Sequence, residues 1–402
     1  MNAYLDLLRS RGVARIIAAQ LTARFPSGML SLAFLLHMEA IFDSYASAGL
    51  VLAATSIGQA AAGPLTSRWM GVWGMRRVLL LTTLVCAVAV LGIGLLVLPL
   101  WGYMLLGLLS GLSYPPVQPA VRTIYPKMVN SRQLTPLFSL DASAQEIIWI
   151  AGPVVVTFIS TQISTTVGIL VAVLFLVGGG AWFLSSPELG QVRIPRSKRA
   201  FGKVLLRPAV AISTAVGFLL VGSAAAIEAG VVSTFGEGSP LGGTVLAIWA
   251  VASLGGGLAL GHIGIGPWAL ARRMAIIVVG AGLAIVAGGF WTLSGALVIA
   301  GLGIAPSLAV MFAVVSASVK FSDTAEAYGW VGTGQLIGAA AGSAVAGFLI
   351  DGFGSSGAFT VSAAFALLGF LVALATVRAM PDLRGRDASP IPDTEPVPLS
   401  PS

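Results

Sequence analysis

Two charged residues lie deep inside long apolar segments, where a charge is costly. Arg24 and Glu146 each lie about ten residues into such a segment, or roughly 15 Å along an α-helix. An ionisable side chain at the centre of a lipid bilayer costs roughly 2.5–3.5 kcal/mol. If these segments cross a membrane, each residue needs either a partner or a function, such as binding a proton or an anionic group.

Arg24 shares one helical face with other polar or small residues. Gln20, Ser27, Gly28 and Ser31 recur around it at the spacings of a single face of an α-helix. A face of this composition does not contact lipid favourably. We expect it to face the interior of a helix bundle or a water-filled cavity.

The residue types that several other kinds of site require are scarce. The chain has one cysteine, Cys86, and two histidines, His37 and His262, which lie far apart in the sequence. This excludes a disulfide framework and argues against a metal site. No phosphate-binding Gly-x-x-x-x-Gly-Lys-Ser/Thr loop is present, so we expect no ATP site. We predict neither a cofactor nor a metal.

The composition indicates that lipid surrounds most of the chain. Of its 402 residues 57% are apolar and 9% are charged, and the mean hydropathy is +0.95. Twelve segments each provide the about 20 apolar residues that a helix needs to cross a bilayer. We therefore predict an all-α polytopic membrane protein with twelve transmembrane helices. They lie at about residues 14–38, 45–67, 78–98, 101–122, 136–160, 163–185, 208–233, 241–262, 273–293, 295–319, 326–350 and 356–378.

Basic residues are confined to one side of these twelve segments. Every lysine and arginine except Arg24 falls in a terminus or in a loop on that side. The positive-inside rule places this side and both termini in the cytoplasm. The net charge of +7 is therefore a topology signal and implies no nucleic-acid partner. We expect a multi-pass protein of the bacterial inner membrane, with no cleaved signal peptide.

A long basic loop divides the predicted helices into two sets of six. Residues 186–207 form this linker, between an amino-terminal bundle in 1–185 and a carboxy-terminal bundle in 208–380. The last segment, 381–402, holds six prolines and few apolar residues. We predict that it is a disordered cytoplasmic tail.

The two bundles repeat one feature. The loop after the second helix reads GPLTSRWMGVWGMRR (63–77), and the loop after the eighth reads GLALGHIGIGPWALARR (257–273). Both contain glycine and tryptophan and end in two arginines. This internal similarity predicts two pseudo-symmetric six-helix bundles with a shared site between them.

From about residue 14 to 378 the chain resembles the major facilitator superfamily. The resemblance rests on the six-plus-six architecture, the long central loop and the loop at 63–77, which in that family carries glycines, an aspartate and paired basic residues. The aspartate, which helps to latch the two halves in the family, is absent here, and Ser67 or Gly71 occupies its place. Gly152-Pro153 is similar to the glycine-proline motif of exporters in the family. The resemblance implies a cytoplasmic gating loop built from Gly63, Arg68, Gly74, Arg76 and Arg77.

The resemblance also makes the helices that carry Arg24 and Glu146 neighbours in one bundle, so we expect the two residues to form an ion pair. Three roles are open. The pair could be a structural salt bridge; it could couple proton binding to transport through Glu146; or Arg24 could bind an anionic group of the substrate. We expect Asp141 to reach the membrane interface, Glu326 to cap a helix and His37 to be solvated.

Other polar or aromatic residues are candidates for lining a central cavity. Pro115 and Pro116 interrupt the fourth helix, and broken helices tend to line cavities. Trp149 could stack on a ligand, and Glu228 could act near the outer end of the cavity. The full set of candidates is Gln20, Ser31, Tyr114, Gln118, Gln145, Trp149, Glu228 and Gln335.

Together these features predict a secondary transporter that moves a small organic solute by alternating access. We expect proton coupling and favour export, with a proton-coupled uptake symporter as the alternative. A polytopic membrane enzyme or a sensor is the competing class, but the loops lack clustered acids or a nucleophile. The expected partners are membrane lipid, protons and one small molecule, and the protein is expected to be a monomer.

Overall fold

The computed structural model describes residues 2–10, 12–236 and 239–393, which form seventeen α-helices joined by short loops. The helices of the amino-terminal part are α1 Asn2–Arg9, α2 Val13–Arg24, α3 Pro26–Phe42, α4 Tyr45–Trp73, α5 Met75–Leu95, α6 Leu100–Leu112, α7 Val117–Met128, α8 Ser131–Ala144, α9 Glu146–Gln162 and α10 Thr165–Ser185. After α11 Pro187–Gln191 follow α12 Pro208–Phe235, α13 Pro240–Leu260, α14 Ala269–Ile285, α15 Phe290–Ser318, α16 Thr324–Phe353 and α17 Ser355–Ala375.

The predicted helical membrane architecture is confirmed. Ten helical segments are long and apolar enough to cross a membrane, when α2 with α3 and α8 with α9 each count as one segment. The other two predicted spans correspond to α14, which has 17 residues, and to the broken pair α6 and α7. The break between α6 and α7 contains Pro115 and Pro116, which have no backbone N–H to continue a helical ladder.

Two further breaks lie beside the polar residues that the sequence singles out. The junction of α2 and α3 falls at Phe25, between Arg24 and Pro26, the first residue of α3. The junction of α8 and α9 falls at Gln145, directly before Glu146. The deep charged residues therefore sit where the regular helical ladder is interrupted.

Each bundle is held together by its own helix contacts, and the two bundles meet at one end. In the first bundle α4 packs on α6, and α10 packs on α2 and α5; in the second, α12 packs on α16 and α17, and α15 packs on α13 and α14. Between the bundles, α4 packs on α16, and α8 packs on α13 and α15. The Ser139 hydroxyl on α8 donates to the Gly257 carbonyl on α13 (2.6 Å), and Thr333 on α16 donates to the Ala60 carbonyl on α4 (3.0 Å).

These contacts lie toward the end of the molecule that carries the loops rich in arginine and lysine, which we call the arginine-rich end. The structure is closed at this end. The short helix α1, which the sequence did not predict, adds to the closure because the Tyr4 hydroxyl lies 3.5 Å from the Gly257 carbonyl oxygen. Burial at this contact raises the pKa of Tyr4.

The prediction of a disordered carboxy-terminal tail is wrong for residues 381–393. The Leu383 amide donates to the Ile265 carbonyl (2.8 Å), and the Ile391 amide donates to the Val319 carbonyl (2.9 Å). Proline prevents a helix here but does not prevent these single hydrogen bonds to loop carbonyls, and Leu383 is buried as well. Hydrogen bonds from the exposed Arg384 lower the pKa of Asp382 to about 2. The rest of the predicted tail, 394–402, lies outside the described residues.

Candidate functional site

Arg24 lies in a buried polar network and not against Glu146, so the predicted ion pair of these two residues is wrong. Its guanidinium donates to the Gln20 amide oxygen (2.9 Å) and to the Gln145 amide oxygen (3.0 Å). Its charge partner is Asp141, whose carboxylate oxygen lies 3.6 Å from Arg24 Nη1. Arg24 has 8% of its surface exposed, so this network replaces most of its contact with water.

Asp141 is the centre of this network and does not reach the membrane interface as expected. It is completely buried and accepts hydrogen bonds from Arg122 Nε (2.9 Å), the Tyr125 hydroxyl (3.1 Å) and Gln20 Nε2 (3.1 Å). Helix α8 begins at Ser131, so Asp141 lies ten residues inside it, roughly 15 Å along the axis. The expected span began at 136, which placed Asp141 too near its end.

Arg122 is the residue of this network that the sequence reasoning missed. The charge pattern of the sequence places it in a basic loop, but it lies within α7 and is 2% exposed. Its guanidinium stacks on Phe312 of the second bundle, with 3.3 Å between the guanidinium carbon and the ring centre. With the oxygen and nitrogen of the Gln118 side-chain amide exchanged, the amide oxygen accepts a hydrogen bond from Arg122 Nη2 (2.9 Å). Two arginines therefore share one aspartate, which leaves one positive charge in excess.

Glu146 points instead at the second bundle. Its carboxylate accepts a hydrogen bond from the Ser253 hydroxyl on α13 (3.0 Å), and the same hydroxyl oxygen accepts from the Ala305 amide on α15 (3.2 Å). None of the ion pairs formed within the described ranges includes Glu146. Glu146 is therefore a deep carboxylate without a cationic partner there, and its hydrogen bond crosses between the bundles.

The structure places some of the other predicted cavity residues in the Asp141 network and others outside it. Gln20, Gln118 and Gln145 belong to the Asp141 network. Glu228 on α12 is exposed and lies within electrostatic range of Glu146, so the two carboxylates repel each other when both are charged. Ser31 and Trp149 are exposed, and the structure brings neither into this network.

Two candidates have a buried polar atom whose partner is not found among the described residues. These atoms are the Tyr114 hydroxyl, on the broken fourth span, and Gln335 Nε2, which packs beside Gly217 of α12.

His37, which we expected to be solvated, is buried: its ring contacts Thr165 Oγ1 (2.9 Å) and the Ile93 carbonyl (3.1 Å). Because a carbonyl only accepts, Nε2 carries the proton in this arrangement.

The predicted gating loop takes part in closing the arginine-rich end. Arg68 Nη1 lies 2.7 Å from Glu326 Oε2 on α16, and Arg68 also donates to the Arg199 carbonyl of the linker. The second carboxylate oxygen of Glu326 accepts from the Gly202 amide (2.8 Å). Glu326 lies in the first turn of α16, but both its oxygens are used here, so its main role is an inter-bundle contact and not the cap that we expected.

The remaining residues of that loop are placed as follows. Arg76 donates to the Ser186 carbonyl (3.2 Å), Arg77 is exposed, and Gly74 has a φ of 88°, which only glycine adopts easily. Gly63 lies against α16 near Thr333. Ser67, which with Gly71 is one of the two candidates for the place of the family's aspartate, donates to the Gly63 carbonyl (2.6 Å). A charged contact between the bundles is still present, but the acid is supplied by the second bundle.

We predict that Arg68→Gln shifts the protein toward a conformation that is open at the arginine-rich end. The lost bond is charge-assisted and largely buried, so its removal should cost the closed state about 1–2 kcal/mol, roughly a 5–30-fold change in the ratio of the two states. Distances between spin labels on the arginine-rich ends of α4 and α16 measure this shift. Arg77→Gln is the matched control, and equal distance distributions in both variants would contradict the prediction.

Two helical bundles that meet at one end, with buried charged residues between them, define the architecture of a membrane transporter. The sequence profile of the Major Facilitator Superfamily matches residues 16–296 and 272–401. The chain belongs to this family and is a transporter, not an enzyme. No curated protein sequence matches it significantly.

Several solved structures share the fold. The human organic anion transporter MFSD10 (TETRAN) is 16% identical, with a TM-score of 0.71 over 90% of this chain and 99% of that chain. A bacterial homologue of the iron transporter ferroportin in an outward-facing state is 14% identical, with a TM-score of 0.72 over 91% and 99%. The proton:xylose symporter XylE is 14% identical, with a TM-score of 0.70 over 94% and 97%. At these identities the likeness concerns the fold alone.

Proposed function

We propose that the protein is a proton-coupled secondary transporter of a small organic solute, and that Glu146 carries the proton. The observation that supports this most is the hydrogen bond from Ser253 to Glu146, which joins the two bundles. Glu146 is a half-buried carboxylate deep in the bundle without a cationic partner among the described residues, so its charge is costly there and binding a proton removes that cost.

In the proposed cycle the protonation of Glu146 is linked to the movement of the bundles. An ionised Glu146 accepts from the Ser253 hydroxyl, which is itself fixed by the Ala305 amide. When the bundles rock, the distance between α9 and α13 changes, so the two conformations hold this carboxylate in different surroundings. A group whose surroundings differ between two states binds its proton with different affinity in each, which is the requirement for coupling.

Arg24 takes a structural part in this proposal. Its hydrogen bonds go to Gln20 and Gln145 and its charge faces Asp141, so it is already engaged within the first bundle. This contact pattern favours the structural role over substrate binding, among the roles left open by the sequence. The excess positive charge of the network still favours a solute with an anionic group over a cationic one.

The direction of transport follows from two further proposals. We propose that the arginine-rich end faces the cytoplasm of a bacterial cell. The structure is then closed on the cytoplasmic side, and both termini are cytoplasmic. We also favour export, on the resemblance of Gly152-Pro153 to the exporter motif. Gly152 packs directly on the backbone of Gly28, so the glycine also has a packing reason in this chain. A proton-coupled uptake symporter is the alternative, and the sign of the gradient that drives flux separates the two.

Proteoliposomes with an imposed pH gradient test the coupling. A ligand-stabilisation screen on the purified protein first identifies the solutes that it binds. We expect Glu146→Gln to lower gradient-driven accumulation to the level seen without a gradient, while exchange of labelled for unlabelled solute continues, because exchange needs no net proton movement. Glu39→Gln, at the far end of α3, removes the same charge outside the central region and should keep gradient-driven transport.

Two outcomes of this experiment would contradict the proposal. Equal pH dependence in Glu146→Gln and the unmodified protein would exclude Glu146 as the proton carrier. A protein that moves no solute under any gradient and shows no exchange would exclude secondary transport altogether. Size-exclusion profiles of both variants show that they are folded before transport is compared.

A further inference from the structure

A pocket at the arginine-rich end collects basic side chains from the linker between the bundles. It has a volume of about 320 Å³ and is lined by Arg199, Lys203, Leu206 and Arg207. Arg199 is paired with Asp323 (3.2 Å), whereas Lys203 and Arg207 take part in no ion pair within the ranges that the structure describes. The pocket therefore has an excess of positive charge that would attract an anion.

An apolar cleft of about 590 Å³ begins beside this pocket. The adjacent residues Leu205 and Leu206 line the cleft and the pocket respectively, so the cleft and the pocket are neighbours on the surface. The cleft runs along α12 from Ala211 to Phe218, roughly 10 Å at helical rise, with Ile337 of α16 on its other wall. Phe218, which lines the cleft, stacks on Phe365 of α17, with 6.0 Å between the ring centres.

Exposed apolar residues border the cleft. Ile337 is 48% exposed, and Phe348, three helical turns further along α16, is 79% exposed. Exposed apolar residues on the same face of a transmembrane helix are typical of a surface that contacts lipid. Ala211 and Ala215, which form the floor of the cleft, are also exposed.

Beyond the basic pocket the lining residues are apolar apart from Thr214, whose hydroxyl is buried and therefore out of reach of a ligand in the cleft. The order from the arginine-rich end is therefore cations, then an apolar wall.

We propose that this combined site binds an anionic phospholipid from the membrane leaflet at the arginine-rich end. Its phosphate lies in the basic pocket, and one acyl chain fills the cleft. The order of chemical groups in such a lipid matches the order of groups along the site. A free anion would use the basic pocket alone and leave the apolar cleft unfilled.

Lipid binding at this site also stabilises the closed arginine-rich end. The segment that lines the basic pocket is the one whose Gly202 amide donates to Glu326 and whose Arg199 carbonyl accepts from Arg68. A lipid headgroup that holds this segment in place therefore holds the inter-bundle contact of Arg68 and Glu326. Because the linker would be displaced when the bundles part at this end, the lipid binds the closed state more tightly and shifts the equilibrium toward it.

The test compares the thermal unfolding of the protein in lipid nanodiscs. One set contains phosphatidylcholine alone, and the other contains a minor fraction of phosphatidylglycerol. We expect phosphatidylglycerol to raise the melting temperature of the unmodified protein, and the double variant Lys203→Gln/Arg207→Gln to lose this rise. Arg193→Gln/Arg196→Gln removes the same charge from the same linker outside the pocket and should keep the rise.

A second variant tests the apolar part of the site without changing its charge. Ala215→Phe fills the floor of the cleft and should reduce the rise in melting temperature that phosphatidylglycerol causes, with little change in phosphatidylcholine alone. Full retention of the rise in Ala215→Phe, or its equal loss in both double variants, would overturn the proposal. Inorganic phosphate that protects the protein in phosphatidylcholine as well as phosphatidylglycerol does would identify a free-anion site instead.

Discussion

Asp141→Asn is expected to destabilise the first bundle by about 3–5 kcal/mol, because it leaves buried guanidinium groups without a carboxylate. Asp141 is completely buried and is the acidic partner of both Arg24 and Arg122. Asparagine keeps only one of the two acceptor oxygens, so its NH2 group faces either Arg122 or the pair Tyr125 and Gln20, and at least one of the present hydrogen bonds is lost. Thermal unfolding of the purified protein in detergent measures the effect.

A second substitution separates this charge effect from a simple loss of packing. Arg24→Gln in the Asp141→Asn background removes one of the two unpaired cations and should restore part of the lost stability. Asp351→Asn is the matched control because Asp351 is exposed on α16, and it should change the melting temperature little. Equal melting temperatures for Asp141→Asn and Asp351→Asn would contradict the account of a charge centre built on Asp141.

The helical architecture could be predicted because its causes act along single segments of the chain. Length and apolar composition decide whether a helix can cross a bilayer, and both are visible in one window of sequence. The same holds for the break at Pro115 and Pro116, since proline acts on its own helix. The orientation that the basic loops predict stays a prediction, because the fold of a helical bundle is the same for both directions of insertion into a membrane.

The partners of the buried charges could not be predicted, because they depend on helix rotation and on where each helix begins. Asp141 and Glu146 are five residues apart and lie on α8 and α9, on either side of the break at Gln145, so they point in different directions. A start at 131 and not 136 moves Asp141 from the interface to the depth of Arg24. Arg122 was assigned to a loop for the same reason, since the fourth span continues after its break to Met128.

The contact of Arg68 with Glu326 joins residues 258 positions apart, and nothing in either local sequence specifies the other. One signal was available: the gating loop lacks its usual aspartate, so an acid from elsewhere was needed to neutralise Arg68. Glu326 at the start of the eleventh span was visible but was interpreted from local sequence as a helix cap. The acidic residue that pairs with Arg68 in place of the aspartate could have been sought among the acids at the arginine-rich end of the second bundle.

The contact between α12 and α16 depends on glycines whose spacing is visible in the sequence. Gly334, Gly338 and Gly342 lie four residues apart on the face of α16 that meets α12. A Cβ at Gly338 would lie 2.1 Å from the Phe218 carbonyl oxygen, and one at Gly342 would lie 2.0 Å from the Gly222 carbonyl oxygen. The atoms in the way are backbone, so they cannot move aside as a flexible side chain could. The two helices must therefore separate to admit a side chain.

Gly338→Ala is expected to destabilise the second bundle by about 1–3 kcal/mol, the usual cost of forcing extra atoms into a packed core, and Gly338→Val should cost more. Helix association within a membrane depends on close backbone approach, because apolar side chains gain little by leaving lipid for protein. Gly347 on the same helix has no atom within 4 Å of an added Cβ, so Gly347→Ala and Gly347→Val are matched controls. Thermal unfolding should give a lower melting temperature for both Gly338 variants and an almost unchanged one for both Gly347 variants. A Gly338→Val protein as stable as Gly347→Val would show that α12 and α16 do not approach this closely in the membrane.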